Sequence, residues 1–287
     1  MVELGVMAAG GMSLTPQSAN DYWYAGQLMT GDMLTLSLQD PGLLYGATVF
    51  TTLRVYDQAI DHCWTAWSAH QARLTRSLQA FHWVEPDWAQ VRQGAMILAQ
   101  HFPVLRVTVF PDGREWIVGR SLPPDLALKQ TQGVPVWVAD GEEYGRTLAA
   151  HKTGNYLGSW LALQAAQRAA AQEAVLVDDQ GHWLETSTGN LWGWADDQWW
   201  TPPLTAGILP GVMRSRLLQG LQRQQQTVLT AAWTPQRVSQ FSFLAYTNSV
   251  VEVVPIQTVL QGTSSVNYNP DYGKVKQLTL AWQSIAS

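Results

Sequence analysis

The chain has 287 residues and 46% of them are hydrophobic, so it can bury a core large enough for one large or two medium domains. Its formal net charge of −5 provides no basic field for a polyanionic backbone, which excludes nucleic acid as an expected partner. The single cysteine, Cys63, excludes an intrachain disulfide framework and a cysteine-based zinc site, and is typical of a reducing compartment.

The start of the chain does not have the pattern of a targeting segment. Residues 1–20 are mildly apolar but lack the positively charged start of a secretory signal, and we interpret them as a disordered leader or as the product of an early start codon. Apolar runs throughout the chain stay well under the ~20 residues that cross a bilayer. We therefore expect a cytoplasmic protein without a membrane partner.

Residues 21–128 are predicted to form a small N-terminal α/β domain. β-branched and aromatic residues favour strands, whereas apolar residues at three- and four-residue spacing favour amphipathic helices. The predicted elements, in chain order, are a strand over 47–56, helices over 67–81 and 86–101, a strand over 105–110, a turn at 111–113 and a strand ending at 118.

Residues 121–133 are polar and rich in turn-forming residues, which predicts a connection to a larger C-terminal domain over 134–287. Residues 199–201 are interpreted as the start of a loop, because two prolines follow them. The other predicted elements are a strand over 134–138, a helix over 156–172, a hairpin over 174–183, a helix from 211, a strand over 243–246 and a helix from 271.

Three local motifs in the second half of the chain suggest cofactor chemistry. Lys152 stands in a short loop before a helix, and a secluded lysine amine can lose its proton and form a Schiff base. Glu185 follows a strand, and a carboxylate is what keeps a pyridine nitrogen protonated. Gly211 precedes a helix, whose first backbone N–H groups suit a phosphate. Taken singly, each motif is more commonly structural.

The three motifs, in this order, resemble the class IV aminotransferases, which are pyridoxal 5′-phosphate enzymes of fold type IV. This family comprises branched-chain aminotransferases, D-amino-acid aminotransferases and aminodeoxychorismate lyases. The resemblance extends from about residue 24 to residue 255. It implies an α/β (α+β) fold of two domains with a barrel-like sheet in the larger one, a homodimer, and pyridoxal phosphate as the cofactor.

The resemblance also implies roles for particular residues. Lys152 matches the Schiff-base lysine, which also moves protons on the substrate. Tyr156 matches the tyrosine that faces the phenolic oxygen of the cofactor, and Glu185 matches the partner of the pyridine nitrogen. The residues implied in phosphate binding are Arg73 of the His-x-x-Arg-Leu pattern, the backbone N–H groups of Val212 and Met213, and Asn248 with Ser249 on the opposite side.

Two segments indicate which member of the family is nearest. Residues 50–52 read Phe-Thr-Thr, as in aminodeoxychorismate lyases, where branched-chain aminotransferases have Phe-Glu-Gly. Residues 246–249 depart from the Gly-Thr pair of the aminotransferases in the same direction. We therefore expect a lyase that forms 4-aminobenzoate and pyruvate in folate biosynthesis. A branched-chain or D-amino-acid aminotransferase is the alternative.

The expected substrate is a small molecule that carries carboxylate groups. A planar guanidinium can hold a carboxylate through two hydrogen bonds, which makes arginines on predicted strands candidates. The turn at 110–116 departs from the glycine- and arginine-rich turn of many relatives. The candidate substrate residues are Tyr45, Phe50, Thr51, Arg54 and Arg106.

Two function classes without this cofactor remain as remote alternatives. A metal hydrolase would need clustered ligands, but the six histidines show no two-histidine ligand spacing such as His-x-x-x-His, so no metal is expected. A non-catalytic binding protein on the same fold would not require Lys152, Glu185 and Arg73 together.

Overall fold

The computed structural model describes residues 20–286, which form a mixed α/β structure built on two β-sheets. The leader expected over residues 1–20 lies outside this described range, apart from Asn20. The helices within residues 20–286 are all too short or too polar to span a bilayer.

The smaller sheet has five antiparallel strands and precedes residue 121. Its strands are β1 (Asp21–Tyr24), β2 (Gln27–Thr30), β3 (Val49–Arg54), β4 (Val104–Val109) and β5 (Glu115–Arg120). The accompanying helices are α1 (Pro41–Tyr45), α2 (Trp67–Ala80) and α3 (Trp88–Ala99). The strand order is β2-β1-β5-β4-β3, so β3 forms one edge of the sheet.

Trp23 anchors α3 to this sheet. A Cβ at Gly94 of α3 would lie 2.4 Å from the indole, so only glycine allows this close approach. The indole Nε1–H donates to Oε1 of Glu115 at 2.8 Å, which satisfies the buried polar atom. The helix is thereby held against β1 and β5.

The larger sheet has nine strands and curls into a half-barrel. Its strands are β6 (Val134–Ala139), β7 (Glu173–Val177), β8 (Trp183–Thr186), β9 (Asn190–Ala195), β10 (Gln198–Thr201), β11 (Val228–Thr230), β12 (Phe243–Asn248), β13 (Glu252–Gln261) and β14 (Ser264–Asn267). The strand order is β11-β10-β9-β12-β13-β6-β7-β8, and β14 pairs with β13. The helices of this part are α4 (Leu126–Gln132), α5 (Leu157–Arg168), α6 (Val212–Arg223), α7 (Pro235–Val238) and α8 (Tyr272–Gln283).

Two segments differ from the sequence-based expectation. Residues 199–201, expected to begin a loop, belong to β10, because the two prolines stand just after the last paired residue rather than within the ladder. Residues 121–133, expected to be a connection, contain α4, whose Leu126 is buried. The division of the chain into domains at this segment remains a prediction.

Buried tryptophans fill the space between α6, α8 and the central strands of the larger sheet. Trp192, Trp199 and Trp282 are fully buried there, together with Phe243. The Trp192 Nε1–H donates to Oγ1 of Thr247 at 3.1 Å, which connects this core to the strand end that borders the site described next.

Candidate active site

A cavity of about 310 Å³ is lined by residues from both sheets. The smaller sheet and α2 contribute Phe50, Thr52, Arg73 and Arg106. The larger sheet, its loops and its helices contribute Arg146, Lys152, Tyr156, Glu185, Asn190, residues 211–213 at the start of α6 and residues 247–251, with others. This volume is within the range of small-molecule sites.

Lys152 lies in the loop before α5, where its carbonyl accepts the Phe50 N–H at 2.8 Å. The Lys152 side chain is partly exposed and lines the cavity, and its amine is buried. Burial, followed by the positive charges of Arg73 and Arg146, lowers the pKa of Lys152 to about 7. Its Nζ is 4.8 Å from the Phe50 ring centre and 4.9 Å from that of Tyr156.

Tyr156 stands four residues after the lysine. Its hydroxyl donates to the Ser187 carbonyl, and its ring meets Phe50 edge-to-face at 5.8 Å. Burial raises the pKa of Tyr156 to about 12, with Arg146 opposing. The phenol is therefore a protonated donor over the whole physiological range.

Glu185 is a buried carboxylate with several donors. Its Oε2 accepts from the Leu209 N–H at 3.1 Å and from Asn190 Nδ2 at 3.4 Å, while Oε1 is paired with Arg146 Nη1. Burial raises the pKa of Glu185, and the charge of Arg146 opposes that shift. Arg146 also donates to the His151 carbonyl at 3.2 Å, so it ties the carboxylate to the lysine loop.

Sequence reasoning missed Arg146. It stands in an irregular loop six residues before Lys152, and no motif or periodicity marks it there. Its role becomes visible only when the fold brings the loop against β8.

Arg73 reaches the cavity from α2 and is 6% exposed. Its Nη2 donates to Thr51 Oγ1 at 2.6 Å, whereas its buried Nε–H has no partner within the described chain. Burial lowers the pKa of Arg73 to about 10, which leaves the guanidinium charged at neutral pH. A buried charged donor without an acceptor is the arrangement that an anionic ligand would complete.

The N-terminus of α6 forms another part of the wall. A Cβ at Gly211 would lie 2.1 Å from Asn190 Oδ1, so the close approach requires glycine. No side chain in the described part of the chain caps this helix, so the backbone N–H groups of Val212 and Met213 remain for a ligand.

The turn after β12 completes the cavity on another side. Asn248 Oδ1 accepts from the Val250 and Val251 N–H groups at 2.9 and 3.0 Å. Its side-chain oxygen therefore shapes the turn that presents Ser249 to the cavity.

Among the candidate substrate residues, Phe50 and Arg106 line the cavity. The Arg106 guanidinium carbon is 3.5 Å from the centre of the Phe50 ring. Burial and the nearby Arg120 lower the pKa of Arg106 to about 10. The guanidinium of Arg106 has no hydrogen bond or ion pair within residues 20–286.

The structure does not bring Tyr45, Thr51 and Arg54 into the cavity. Tyr45 ends α1 and is 76% exposed, and Arg54 is occupied by an ion pair with Glu252 at 2.8 Å. Thr51 is buried on the strand face that meets α2, whereas its neighbour Thr52, which sequence reasoning did not select, lines the cavity. Alternation along β3 explains the difference, since successive side chains point to opposite faces.

Comparison with known proteins places this architecture in a family. The family model described as amino-transferase class IV matches residues 48–259. An aminodeoxychorismate lyase from Vibrio harveyi is 25% identical over 247 residues, which cover 80% of this chain and 90% of that protein. A branched-chain-amino-acid aminotransferase from Escherichia coli K12 is 24% identical over 228 residues, covering 72% of this chain and 74% of that protein.

A solved structure also resembles the chain. The pyridoxal-phosphate-bound form of a hypothetical aminotransferase from Mycobacterium tuberculosis superposes with a TM-score of 0.77 at 18% identity. The superposition covers 92% of this chain and 99% of that one, so the two share a fold.

Proposed function

Because this chain belongs to the class IV aminotransferase family of pyridoxal-phosphate enzymes with fold type IV, we propose that it is an aminodeoxychorismate lyase. The reaction converts 4-amino-4-deoxychorismate to 4-aminobenzoate and pyruvate, a step of folate biosynthesis. Identities of 25% to a lyase and 24% to an aminotransferase are too similar to decide between the two activities. The proposal therefore depends on the cavity.

The residues around the cavity fit pyridoxal phosphate. The unpartnered Nε–H of Arg73 and the uncapped start of α6 suit the phosphate, the amine of Lys152 suits the aldehyde, and Glu185 suits the pyridine nitrogen. When bound, the cofactor withdraws electrons from the substrate carbon that carries the amine. The remaining chemistry belongs to side chains of this protein.

Lys152 is the residue that we assign to proton transfer. With its pKa lowered to about 7, the amine exists in neutral and protonated forms at physiological pH. It can therefore take a proton from the amine-bearing carbon and return one elsewhere on the substrate. The phenol of Tyr156, held by the Ser187 carbonyl, borders the same space and keeps its proton.

Glu185 would keep a proton on the ring nitrogen of the cofactor. Arg146 fixes one of its oxygens, and the Leu209 N–H fixes the other. The carboxylate therefore has a defined orientation before any ligand arrives, which lowers the cost of binding.

The charge distribution supports a substrate with two carboxylates. Among the described residues that line the cavity, Glu185 is the single acid, and it is paired with Arg146. Arg106, beside Phe50, has no acceptor for its guanidinium among residues 20–286, and the hydroxyl of Thr52 is uncharged. An incoming dianion thus meets a positive potential and no opposing free acid. This observation carries the lyase proposal.

Product analysis tests the proposal. The purified holoenzyme is incubated with 4-amino-4-deoxychorismate, and separately with L- and D-amino acids plus 2-oxoglutarate. We expect 4-aminobenzoate and pyruvate in equal amounts, formed faster than any transamination product. Rapid turnover of amino acids with no release of 4-aminobenzoate would contradict the lyase assignment and leave the cofactor assignment intact.

A branched-chain or D-amino-acid aminotransferase is the second candidate. Two features favour it. Val250 and Val251 provide an apolar wall, and the Arg106 guanidinium, which has no partner among the described residues, is enough to hold one carboxylate. The same incubation decides between the two activities, because an aminotransferase forms a keto acid from the amino acid.

We also propose a cytoplasmic homodimer. Leu43, Leu44 and Tyr45 on α1 and Leu157 and Trp160 on α5 expose large apolar surfaces. The two segments are adjacent, since a Cβ at position 46 would be 3.3 Å from the backbone nitrogen of residue 155. Exposed apolar side chains on two adjacent segments suit a protein interface, and the single cysteine, which is free, fits a reducing compartment.

A further inference from the structure

His70 is a buried histidine beside the cavity that does not line it. It lies on α2 three residues before Arg73, so both side chains project from one face of the helix. The His70 Nδ1 is 2.6 Å from Oγ1 of Thr51, and Arg73 Nη2 is 2.6 Å from the same oxygen. A single hydroxyl therefore connects the histidine to the arginine.

Proton counting fixes the direction of these two bonds. A guanidinium can only donate, so the Thr51 oxygen accepts from Arg73. The hydroxyl has one proton of its own, and in the described part of the chain Nδ1 of His70 is its one acceptor within hydrogen-bonding distance. The proton therefore points to Nδ1, which leaves the histidine hydrogen on Nε2.

The surroundings of His70 agree with a neutral ring. Complete burial, together with the positive charges of Arg73, Arg216 and Lys152, lowers the pKa of His70 well below its ordinary value. A neutral imidazole has one ring nitrogen that can accept a hydrogen bond, and here that nitrogen accepts from the Thr51 hydroxyl.

We propose that Thr51 and His70 are positioning residues that hold the guanidinium of Arg73 in the orientation that binds the cofactor phosphate. The inference rests on the phosphate-binding role of Arg73 in the proposed function. Nη2 of Arg73 donates to Thr51, whereas the Nε–H of Arg73, which has no partner among the described residues, remains for the ligand. A guanidinium fixed before binding loses less entropy when the phosphate arrives.

This inference gives the Phe-Thr-Thr segment two different roles. Thr52 faces the cavity, whereas Thr51 faces α2 and acts through Arg73. His70 in turn keeps the lone pairs of Thr51 directed at the guanidinium. Neither Thr51 nor His70 touches the substrate side of the cavity.

The test compares pyridoxal phosphate with pyridoxal, which lacks the phosphate. Full-length protein freed of cofactor is titrated with each, and the ratio of the two dissociation constants measures what the phosphate contributes. Thr51→Val and His70→Leu should lower this preference by about three- to tenfold, the range that one net hydrogen bond represents. Thr51→Ser and His70→Asn keep the hydroxyl and the acceptor, and should retain the preference within about twofold.

Thr108→Val is the matched control for a buried threonine. Thr108 stands opposite Phe50 on β4, is buried, and its hydroxyl has no partner among the described residues. Its replacement should leave the phosphate preference unchanged. Should Thr51→Val not fold, His70→Leu and the serine variant supply the same comparison.

Two outcomes overturn the inference. Equal weakening of pyridoxal phosphate and pyridoxal by Thr51→Val would make Thr51 a structural residue only. If Arg73→Ala lowers the preference for pyridoxal phosphate over pyridoxal but Thr51→Val and His70→Leu leave it unchanged, Thr51 and His70 do not position Arg73. If Arg73→Ala itself leaves the preference unchanged, the assignment of Arg73 to the phosphate is wrong, and the proposed function fails at that point independently of Thr51.

Discussion

Lys152 is influenced by three positive side chains, Arg73, Arg146 and Arg106, and one negative side chain, Glu185. Removing the amine from water disfavours its charged form, and the three guanidinium groups act in the same direction. Glu185 opposes them but does not cancel them, since it is itself paired with Arg146. The outcome is a lysine that is about half neutral near pH 7.

The first prediction follows from this pKa. Only the neutral amine attacks an aldehyde, so the rate of pyridoxal-phosphate capture by cofactor-free protein should rise with pH up to about 7 and then level off. A lysine with an ordinary pKa would give a rate that continues to rise to about pH 10. Stopped-flow absorbance between pH 5.5 and 9.5 measures the profile.

Pyridoxal provides the control for titration of the phosphate itself, and should give the same plateau. Borohydride reduction followed by peptide mapping identifies the modified lysine. A profile without a plateau, or label on a lysine other than Lys152, would contradict the assignment.

The second prediction concerns Glu185. Glu185→Gln keeps the size of the side chain but removes the negative charge that would hold a proton on the ring nitrogen. We expect the variant to retain the cofactor and to lose activity by about a hundredfold or more, the scale of one positioned proton-transfer group. Steady-state kinetics and the bound-cofactor absorbance measure the two quantities separately.

Glu115→Gln is the control for this variant. Glu115 is also a buried carboxylate, but it accepts from Trp23 and the Gly26 N–H in the smaller sheet. Its replacement should lower stability and leave kcat unchanged. Equal losses of kcat in both variants would remove Glu185 from the site.

At the scale of single elements, periodicity predicts where α2 lies but not which of its polar residues are buried. Leu74 and Leu78 indicate the helix and its core face. His70 and Arg73 are buried beside this face of α2, where both form hydrogen bonds with Thr51 of β3. A hydrophobic pattern contains no information about that partner.

For β3, the sequence likewise predicts the element but not which of its side chains meet the cavity. Its composition predicts the strand, but each face carries an apolar residue and a threonine, Val49 and Thr51 on one and Phe50 and Thr52 on the other, so the two faces do not differ in polarity. Which face meets the cavity therefore could not be deduced, and Thr51 was selected where Thr52 lines it. The motifs around Lys152 and Glu185 are more informative about the site because they follow one another in the order found in class IV aminotransferases.

The third prediction concerns the crossing of α6 and α8. A Cβ at Gly220 of α6 would lie 1.8 Å from the carbonyl oxygen of Ala281, so Gly220→Ala forces the helices apart. We expect the free energy of unfolding to fall by about 1–3 kcal/mol, as for overpacked cores. Because α6 begins at the cavity, cofactor affinity should fall as well. Urea denaturation and cofactor titration measure these effects.

Gly273→Ala is the matched control on α8. Gly273 is exposed, and a Cβ there would meet Asp271 Oδ1 at 3.1 Å as its one close contact within the described residues. Alanine favours a helix more than glycine does, so this variant should be neutral or slightly stabilising. Destabilisation of both variants to the same extent would refute the steric explanation.

At the scale of the whole molecule, the cavity is made by both sheets, and neither sheet alone supplies a complete set of groups. The smaller sheet and its helix α2 contribute Arg106 and Arg73, and the larger sheet and its loops contribute Glu185 and Lys152. Family resemblance predicted this combination because it spans most of the chain. Arg146 could not be predicted, since its position depends on how a loop closes over the larger sheet.

The fourth prediction concerns assembly. Leu44 on α1 is 49% exposed within the apolar surface that also includes Leu157 and Trp160. If this surface is a dimer interface, Leu44→Asp buries a charge against apolar side chains and should convert a dimer to a monomer. Light scattering coupled to size-exclusion chromatography measures the mass.

Leu280→Asp on α8 is the control, because Leu280 is exposed to a similar extent, 51%, on another surface. It should leave the mass unchanged. A wild-type protein that is monomeric at micromolar concentration, or a dimer that persists in Leu44→Asp, would contradict the proposed interface.

The hydrogen bond between Trp192 and Thr247 has an optical consequence. Thr247 borders the cavity, so this indole lies one side chain away from the space that suits the cofactor, and Trp199 lies beside it at a ring separation of 6.4 Å. The emission of tryptophan overlaps the absorption of pyridoxal phosphate, and transfer of excitation energy is efficient over such short separations. The intrinsic fluorescence of the protein should therefore fall as the cofactor binds and recover as it leaves, which makes cofactor occupancy measurable without any added label.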